Sequence, residues 1–301
     1  MKISSLVSRV AACAVVGLAA QGAWAQAGGT LDKVKQSGAF TMAYRESSIP
    51  FSYLDDKAQP VGFGFEICNR IADEVKKVTG RADMKVNLQA VTSANRIPLL
   101  QNGTIDIECG STTNNVERGK QVAFATNYFY TGTRFLVKSS SPVKKLEDLA
   151  GKNVVSTTGT TNYKIMRGLN DEKKVGFELL GAKDHAESAL MVQSGRAEAF
   201  AMDDILLYGL RASSQNPAEL AVVGEPIQVE PYAIMVRRDD PAFKGLVDGV
   251  LAGLMKSGEF EKLYKKWFQS PIPPKGINLG VPMSKELQEN MKALSDKPAA
   301  P

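Results

Sequence analysis

The sequence predicts an α/β protein with two domains. Strand-like and helix-like patterns alternate along most of the chain, which is typical of parallel sheets that carry helices on both faces. After removal of a predicted export signal, about 276 of the 301 residues remain, more than one ordinary hydrophobic core accommodates. No later segment approaches eighteen apolar residues, so the mature chain is expected to be soluble.

In the first half of the chain, apolar residues at 64–78 repeat with helical spacing and place Phe65, Cys68 and Ile71 on one face. Residues 84–91 alternate as in a strand, and Ser93 is a candidate cap for the next helix. The elements predicted here are strands at 39–44, 84–91 and 104–108, helices at 64–78 and 93–101, and a helical turn from Asn115.

The second half of the chain repeats this alternation. The segments 127–138 and 226–237 are long, strand-like and poor in helix formers, and they are the candidate connections between two domains. The remaining predictions are strands at 153–156, 176–180, 197–202 and 220–223, and helices at 159–170, 184–193, 203–212, 241–255 and 260–268. The segment after 271 is expected to be a wrapped, partly mobile terminus.

The first 25 residues predict a secretory signal peptide. Lys2 and Arg9 form a basic start before a short apolar run at 10–20. Ala23-Trp24-Ala25 fits a small-x-small cleavage site. A retained anchor helix and a lipoprotein modified at Cys13 are the alternatives. Cleavage lowers the formal net charge from +5 to +3, which is too mild to indicate binding to nucleic acid.

Two cysteines, Cys68 and Cys109, remain in the predicted mature chain. In an exported protein such a pair either forms a disulfide or stays as two buried thiols, and spacing alone does not decide between them. The chain has one histidine, and nothing in it has metal-ligand spacing, so neither a metal nor a cofactor is expected.

One stretch of sequence carries most of the functional information. It contains Arg96, the turn Gly110-Ser111-Thr112-Thr113 and Arg118, with the turn at the end of a strand and the start of a helix. Guanidinium groups, hydroxyls and the N–H groups of a helix start are suited to binding a carboxylate. The alternative for Arg118 is an exposed ion pair with Glu117 or Asp106.

The second half of the chain has two further groups of polar residues at strand ends. Gly159-Thr160-Thr161 follows a strand and opens a helix, although such a turn is often only a helix cap. Asp203 and Asp204 follow the strand at 197–202, and either one could neutralise an α-amino group or cap the next helix.

Arg45 and Arg96 would supply an additional cation for a dicarboxylic ligand. Arg45 ends the first strand, with Glu46 as a possible partner. Arg96 lies near a helix N-terminus, where a positive charge is unfavourable unless an anion offsets it. His185, at another helix start, is either a hydrogen-bond donor to the ligand or a capping residue.

The stretch 95–118, together with Arg45-Glu46-Ser47 and the Thr-Ser-x-Asn-Arg sequence at 92–96, resembles the glutamate/aspartate-binding proteins of bacterial ABC importers, in solute-binding protein family 3. The resemblance implies the class II periplasmic binding fold, with two lobes and two hinge strands. It divides the chain into a signal peptide at 1–25, a first lobe at 26–131, a second lobe at 132–230, and a return to the first lobe with a C-terminal tail at 231–301.

The resemblance also implies a ligand set. Arg118 would bind the α-carboxylate bidentately, and Asp203 would bind the ammonium. Further donors to the α-carboxylate or contacts from the opposite lobe would come from Ser111, Thr113, Thr160 and Thr161, and the side-chain carboxylate would be bound by Arg45, Ser93, Arg96 and His185. An anion next to His185 would raise its pKa.

The charges of this set favour an acidic ligand. Arg45, Arg96 and Arg118 against Asp203 leave a surplus of two positive charges, which suits a ligand of net charge −1 and disfavours glutamine. The expected protein is a periplasmic, monomeric, non-enzymatic carrier that delivers L-glutamate or L-aspartate, in either order of preference, to an inner-membrane ABC permease. The alternative is a cyclohexadienyl (prephenate/arogenate) dehydratase-like enzyme with His185 as general acid. Asp203 argues against this enzyme, because prephenate has no amine.

Overall fold

A computed structural model describes residues 28–299 of the chain. The predicted signal peptide at 1–25, its cleavage site and Cys13 lie outside this range. In the described part of the chain, no helix combines the length and the apolar character that a membrane span requires.

Strands and helices alternate as the sequence predicts. The strands are β1 (Ala39–Tyr44), β2 (Ser47–Ser48), β3 (Ser52–Leu54), β4 (Pro60–Val61), β5 (Lys85–Ala90), β6 (Ile107–Glu108), β7 (Val122–Phe124), β8 (Phe129–Lys138), β9 (Asn153–Thr157), β10 (Glu178–Ala182), β11 (Ala199–Asp203), β12 (Leu220–Val223), β13 (Val229–Tyr232) and β14 (Met235–Arg237). The α-helices are α1 (Thr30–Ser37), α2 (Phe63–Thr79), α3 (Arg96–Gln101), α4 (Val116–Gly119), α5 (Thr161–Lys173), α6 (His185–Gln193), α7 (Asp204–Ser213), α8 (Pro241–Ser257), α9 (Glu259–Phe268) and α10 (Lys285–Ala293). Two short 3₁₀ helices occupy Leu146–Leu149 and Pro217–Glu219.

The strands form two mixed sheets and one small sheet. The first sheet has the order β5-β1-β6-β14-β7, and the second has the order β10-β9-β11-β8-β12, with β13 also paired to β8. Pairing is parallel among β1, β5 and β6 and among β9, β10 and β11. It is antiparallel wherever β8 or β14 takes part. The predicted α/β architecture is therefore confirmed, but the sheets are not mostly parallel, because the pairings of β8 and β14 make both of them mixed.

The chain crosses between the two sheets twice. It leaves the first sheet after β7 and enters the second at β8, and it returns between β13 and β14. Both crossings fall within the segments 127–138 and 226–237 that the sequence singles out. The exact lobe boundaries, at 131/132 and 230/231, stay predictions.

Helix α2 forms where the sequence shows helical spacing of apolar residues. Its apolar residues every third or fourth position are buried against the first sheet, while Phe65 is only partly buried. The helix ends at Gly80, whose φ of 67° is the left-handed conformation that glycine adopts without strain. The sequence patterns did not predict α1, α10, β7 or the small sheet β2-β3-β4.

An aromatic cluster fills the interior between the crossing strands and the C-terminal helices. Phe51 lies at its centre and makes edge-to-face contacts with Phe129, Tyr232 and Phe268, at centroid distances of 4.9, 5.1 and 5.6 Å. Because Tyr232 is also bonded to Asp203, this packing fixes the position of a residue at the candidate site.

Cys68 and Cys109 form a disulfide, with their Cα atoms 5.9 Å apart. The bond joins α2 to the end of β6, immediately before the turn that begins at Gly110. Of the two alternatives left open by the sequence, the structure contains the disulfide.

We expect the double variant Cys68→Ala, Cys109→Ala to lower the free energy of unfolding by about 2–4 kcal/mol, because the bond closes a long loop in the unfolded chain. Chemical denaturation followed by circular dichroism measures the change. Wild-type protein unfolded under reducing conditions is the matched control and should show a similar loss. Equal stability of the oxidised and reduced wild type would contradict the prediction.

The C-terminal segment, residues 284–299, packs across the first sheet's side of the molecule. Its helix α10 is followed by an extended stretch that bonds to two asparagines near the site. Asn127 Nδ2 donates to the carbonyl of Lys297 at 2.8 Å, and the Ala299 amide donates to the carbonyl of Asn114 at 2.9 Å. The terminus is thus wrapped, as expected, and contains a helix that was not predicted.

Candidate functional site

A small cavity lies between the two sheets. Most of its lining side chains are polar, and they come from the segments after β6 and β9, the end of β11, and the starts of α3, α4, α5, α6 and α7. Nine of the ten residues named from the sequence line it: Ser93, Arg96, Ser111, Thr113, Arg118, Thr160, Thr161, His185 and Asp203. Asn162, Met202 and Leu206 complete the lining.

The tenth residue, Arg45, lies next to the lining. Its guanidinium Nη2 donates to Ser93 Oγ at 2.9 Å and contacts His185 Nε2 at 3.2 Å. The side chain is 1% exposed, and burial lowers its pKa to about 10, which leaves it cationic at neutral pH. Nη1 of Arg45 has no hydrogen-bond partner among the described residues.

Arg96 opens helix α3 and is 2% exposed. Its Nη1 is 3.5 Å from the carbonyl of Ser111, and its Nε has no partner within residues 28–299. The expected helix cap at Ser93 is wrong, because α3 begins at Arg96 and the Ser93 hydroxyl accepts from Arg45 instead. A buried cation with unused donors is costly, and an anion in the cavity would offset that cost.

Arg118 connects the turns on the two sides of the cavity. Helix α4 is capped by Asn115, whose Oδ1 accepts from the Arg118 amide at 2.9 Å. The guanidinium donates to the carbonyl of Thr113 at 2.9 Å and to that of Gly159 at 3.1 Å. Arg118 therefore contacts residues that follow the first sheet's β6 and the second sheet's β9.

The structure excludes the exposed ion pairs considered for Arg118. Glu117 pairs with Lys120 at 2.6 Å, and Asp106 pairs with Lys33 at 2.8 Å and with Arg237 at 3.2 Å. Arg118 itself is 8% exposed, and burial together with the nearby Arg96 lowers its pKa to about 9.

The turn Gly159-Thr160-Thr161 lies close to the segment that precedes α3. Thr160 caps α5 by accepting from the Tyr163 amide at 3.1 Å. Gly159 has a φ of 79°, and a Cβ there would lie 2.5 Å from the Cα of Ala94. Glycine is required here both by the backbone conformation and by the approach of the two sides.

Asp203 ends β11 and lines the cavity, whereas Asp204 does not. Oδ1 of Asp203 accepts from Asn162 Nδ2 at 2.7 Å, and Oδ2 of Asp203 accepts from the Tyr232 hydroxyl. Burial, followed by the neighbouring Glu230 carboxylate, raises the pKa of Asp203 to about 8. Asp204 accepts from Thr131 Oγ1 at 2.7 Å, so only Asp203 is available to a group in the cavity.

His185 differs from the sequence-based expectation. Arginine can only donate, so the 3.2 Å contact with Arg45 makes Nε2 an acceptor and assigns the proton to Nδ1, which donates to Thr157 Oγ1 at 2.8 Å. Burial, with Arg45 and Arg96 nearby, holds the pKa of His185 well below its usual range. Nε2 contacts Arg45 rather than donating into the cavity, and the raised pKa expected for His185 beside a bound anion stays a prediction.

Two buried carboxylates near the cavity were missed. Glu108 Oε2 accepts from Thr112 Oγ1 at 2.6 Å, and Glu230 Oε2 accepts from Thr113 Oγ1 at 2.6 Å. With Asp203 they bring the buried carboxyl groups near the cavity to three, beside three buried arginines, and the sequence-based charge count of the site included only one of these carboxyl groups. The hint in the sequence is an acidic residue inside a short apolar strand, which does not distinguish a buried side chain from an exposed one.

The cavity thus combines cationic groups, hydroxyls and one acidic group between the two sheets. That set suits a small ligand with carboxylates and an ammonium group. Among the described residues, no cluster of three or more histidine, cysteine or acidic side chains could hold a metal ion.

Comparison with known proteins gives close relatives. The chain is 48% identical over 272 residues to the L-glutamate/L-aspartate-binding protein of Pseudomonas aeruginosa, which covers 90% of each chain. It is 46% identical over 297 residues to the glutamate/aspartate import solute-binding protein of Escherichia coli, covering 96% of this chain and 97% of that one.

Solved structures with the same architecture include amino-acid-binding proteins. A mutant of the arginine-binding protein ArgBP from T. maritima superposes with a TM-score of 0.70 at 28% identity, covering 79% of this chain and 98% of that one. The ancestral amino acid-binding protein AncCDT-1, a precursor of cyclohexadienyl dehydratase, has a TM-score of 0.69 at 28% identity, covering 80% and 100%. The two-lobe periplasmic binding fold expected from the resemblance is confirmed.

The model of the bacterial extracellular solute-binding proteins, family 3, matches residues 40–270, which contain every residue of the candidate site and, apart from Ala39, both main sheets. The chain belongs to this family of bacterial extracellular solute-binding proteins.

Proposed function

We propose that the protein captures L-glutamate or L-aspartate between its two lobes and delivers it to an inner-membrane ABC permease. The observation that carries this proposal is the convergence of three buried arginines and Asp203 on one small cavity. The relatives at 46–48% identity are glutamate/aspartate-binding proteins, which points to the same ligands.

In this proposal each end of the ligand meets a matching group. Arg118 binds the α-carboxylate, with donors from Ser111 and from the Thr161 amide. Asp203 accepts from the ammonium. Arg96, supported by Arg45 and Ser93, binds the side-chain carboxylate. The contacts with Thr160 complete the enclosure from the second sheet's side.

Closure follows from where these residues lie. The first sheet's side supplies the arginines, and the second sheet's side supplies Asp203, Thr160 and Thr161. Only a ligand that contacts both sets stabilises the closed arrangement over an open one. We propose that the crossing segments 127–138 and 226–237 are the hinges of this motion, between lobes at 26–131 with 231–301 and at 132–230.

Transport without catalysis is the proposed activity, in the periplasm, after removal of residues 1–25 and with the protein acting as a monomer. The dehydratase alternative is disfavoured. The His185 imidazole has its Nε2 engaged by Arg45 and a pKa held low by burial, which makes it a poor general acid. The dehydratase-related neighbour is itself described as an amino acid-binding precursor.

Isothermal titration calorimetry of the mature protein with L-glutamate, L-aspartate, L-glutamine and prephenate tests the proposal. We expect both acidic amino acids to bind with one site per chain and L-glutamine to bind about 30-fold or more weakly, because a neutral amide leaves a buried arginine without an anion. Conversion of prephenate, or equal affinity for glutamine, would refute the assignment.

Affinity for L-glutamate should rise with pH between about 6 and 8. The pKa of Asp203 is raised to about 8, so at lower pH its carboxyl is protonated and must lose that proton before it accepts from the ammonium. Affinity therefore increases by up to about tenfold per pH unit and levels off above pH 8. Titrations in buffers of different ionisation enthalpy would measure the released proton.

Asp203→Asn is the matched control for this pH dependence. It keeps the size of the side chain, should bind L-glutamate weakly, and should lose the pH dependence. An affinity of the wild type that stays constant from pH 6 to 8 would contradict the prediction.

A further inference from the structure

Glu230 is a buried acidic residue on β13 with no role in the ligand set described above. It is 0% exposed, and it does not line the cavity. Its Oε2 accepts from Thr113 Oγ1 at 2.6 Å and from Thr161 Oγ1 at 2.8 Å. Both threonines line the cavity, one on each side. Glu230 therefore contacts the cavity wall through two hydroxyl groups.

These bonds fix the direction in which the two hydroxyls point. A hydroxyl has one proton to donate and two lone pairs with which to accept. Because Glu230 Oε2 takes the proton of Thr113 and of Thr161, neither hydroxyl has a proton left for another acceptor. The Oγ1 atoms of Thr113 and Thr161 are 3.3 Å apart. Because both of their protons point to Glu230, the two hydroxyls do not form a hydrogen bond with each other. Both oxygens remain able to accept.

The same region holds the group that would meet the ligand's ammonium. Asp203 already accepts from Asn162 and from Tyr232, one bond to each carboxylate oxygen. An ammonium has three protons, and Asp203 alone offers it few free lone pairs. Hydroxyl oxygens that can only accept would supply the remaining partners, whereas hydroxyls free to rotate could also donate toward a carboxylate.

We propose that Glu230 is a positioning residue for the ligand's ammonium group: by holding the Thr113 and Thr161 hydroxyls as acceptors, it makes the cavity select ligands that carry an ammonium. This inference rests on the proposed function, since it deepens the recognition of an amino acid at the same site. It differs from a purely structural role, in which Glu230 would only tie the two sides of the cavity together.

Two ligands separate these roles. L-glutamate and glutarate have the same two carboxylates, and only L-glutamate has an ammonium. We expect Glu230→Ala to weaken L-glutamate binding by about 10- to 100-fold and to change glutarate binding by less than about threefold. Calorimetry measures the first affinity, and displacement or direct titration at high concentration measures the second.

Glu108→Gln is the matched control. Glu108 is also buried and also accepts from a threonine, Thr112, which does not line the cavity. Its replacement should change the affinities for the two ligands by similar factors. Glu230→Gln gives a second test variant, because the amide oxygen can still accept from the hydroxyls. We expect this variant to weaken the binding of L-glutamate but not that of glutarate, and to do so by a smaller factor than Glu230→Ala.

The outcomes are distinct. A selective loss of L-glutamate affinity in the Glu230 variants supports the inference. Equal losses for both ligands, or no loss for L-glutamate, would overturn it. If the alanine variant fails to fold, which loss of glutarate binding and of the unfolding transition would reveal, the glutamine variant decides by the same criterion. Failure of the wild type to bind L-glutamate would instead refute the proposed function.

Discussion

Arg118→Ala is expected to weaken L-glutamate binding by about 30-fold to several thousandfold, because the guanidinium is the proposed partner of the α-carboxylate in a buried site. The effect should be the same for L-aspartate, since both ligands share this carboxylate. Calorimetry measures the affinities. Arg118→Lys keeps the charge and loses the planar pair of donors, so it should give an intermediate loss.

Arg167→Ala provides the matched control for this loss. Arg167 is an exposed arginine on helix α5, outside the cavity, and its removal should leave ligand affinity unchanged. Thermal unfolding of the Arg118 variants should accompany the titrations, because Arg118 also bonds to Thr113 and Gly159. L-glutamate affinity within about threefold of wild type in a folded Arg118→Ala protein would contradict the assignment.

Arg96→Ala should abolish the preference for acidic ligands. The ratio of the dissociation constants of L-glutamine and L-glutamate is expected to fall by about 30-fold or more, mainly because L-glutamate binds less tightly. The reason is that Arg96 is fully buried, has an unused Nε, and is the cation proposed for the side-chain carboxylate. Parallel titrations with the two amino acids measure the ratio.

Arg96→Met separates charge from volume in this experiment. Methionine fills most of the space without a charge, so it should lower the preference as strongly as alanine while disturbing the packing less. Tight L-glutamate binding in either folded variant would show that another group binds the side-chain carboxylate.

Much of the site could be predicted because its residues lie at the ends of regular elements. The turn before Arg118 follows a strand and precedes a helix, and Asn115 and Asp184 begin helices where the sequence places polar caps. Parallel strands and their connecting helices then bring such turns to one edge of each sheet. The positions of the arginines follow from this local order.

The chemical state of the site could not be predicted in the same way. The pKa of His185 is lowered first by burial in the folded protein and then by Arg45, which lies 140 positions earlier in the sequence. Glu108 and Glu230 escaped notice because an acidic residue in a short strand looks the same whether it faces solvent or the interior. Asp203 and Asp204 are adjacent acidic residues at a strand end, and the sequence alone does not show which of the two side chains faces the cavity.

Elements were missed where the pattern was weak. Helices α1 and α10 have nine residues or fewer and many polar side chains, and few of their residues are buried. Such short helices depend on packing against the rest of the protein rather than on their own periodicity. The disulfide was undecided for a related reason, because a pairing distance is set by the tertiary fold.

The hydrogen bonds between the C-terminal segment and Asn114 and Asn127 support the site from outside the cavity. Asn114 lies directly between Thr113 and the helix that carries Arg118, and its backbone carbonyl accepts from the Ala299 amide. A protease that cut the chain before residue 284 would leave every cavity residue in place and would remove this support from the turn that precedes Arg118.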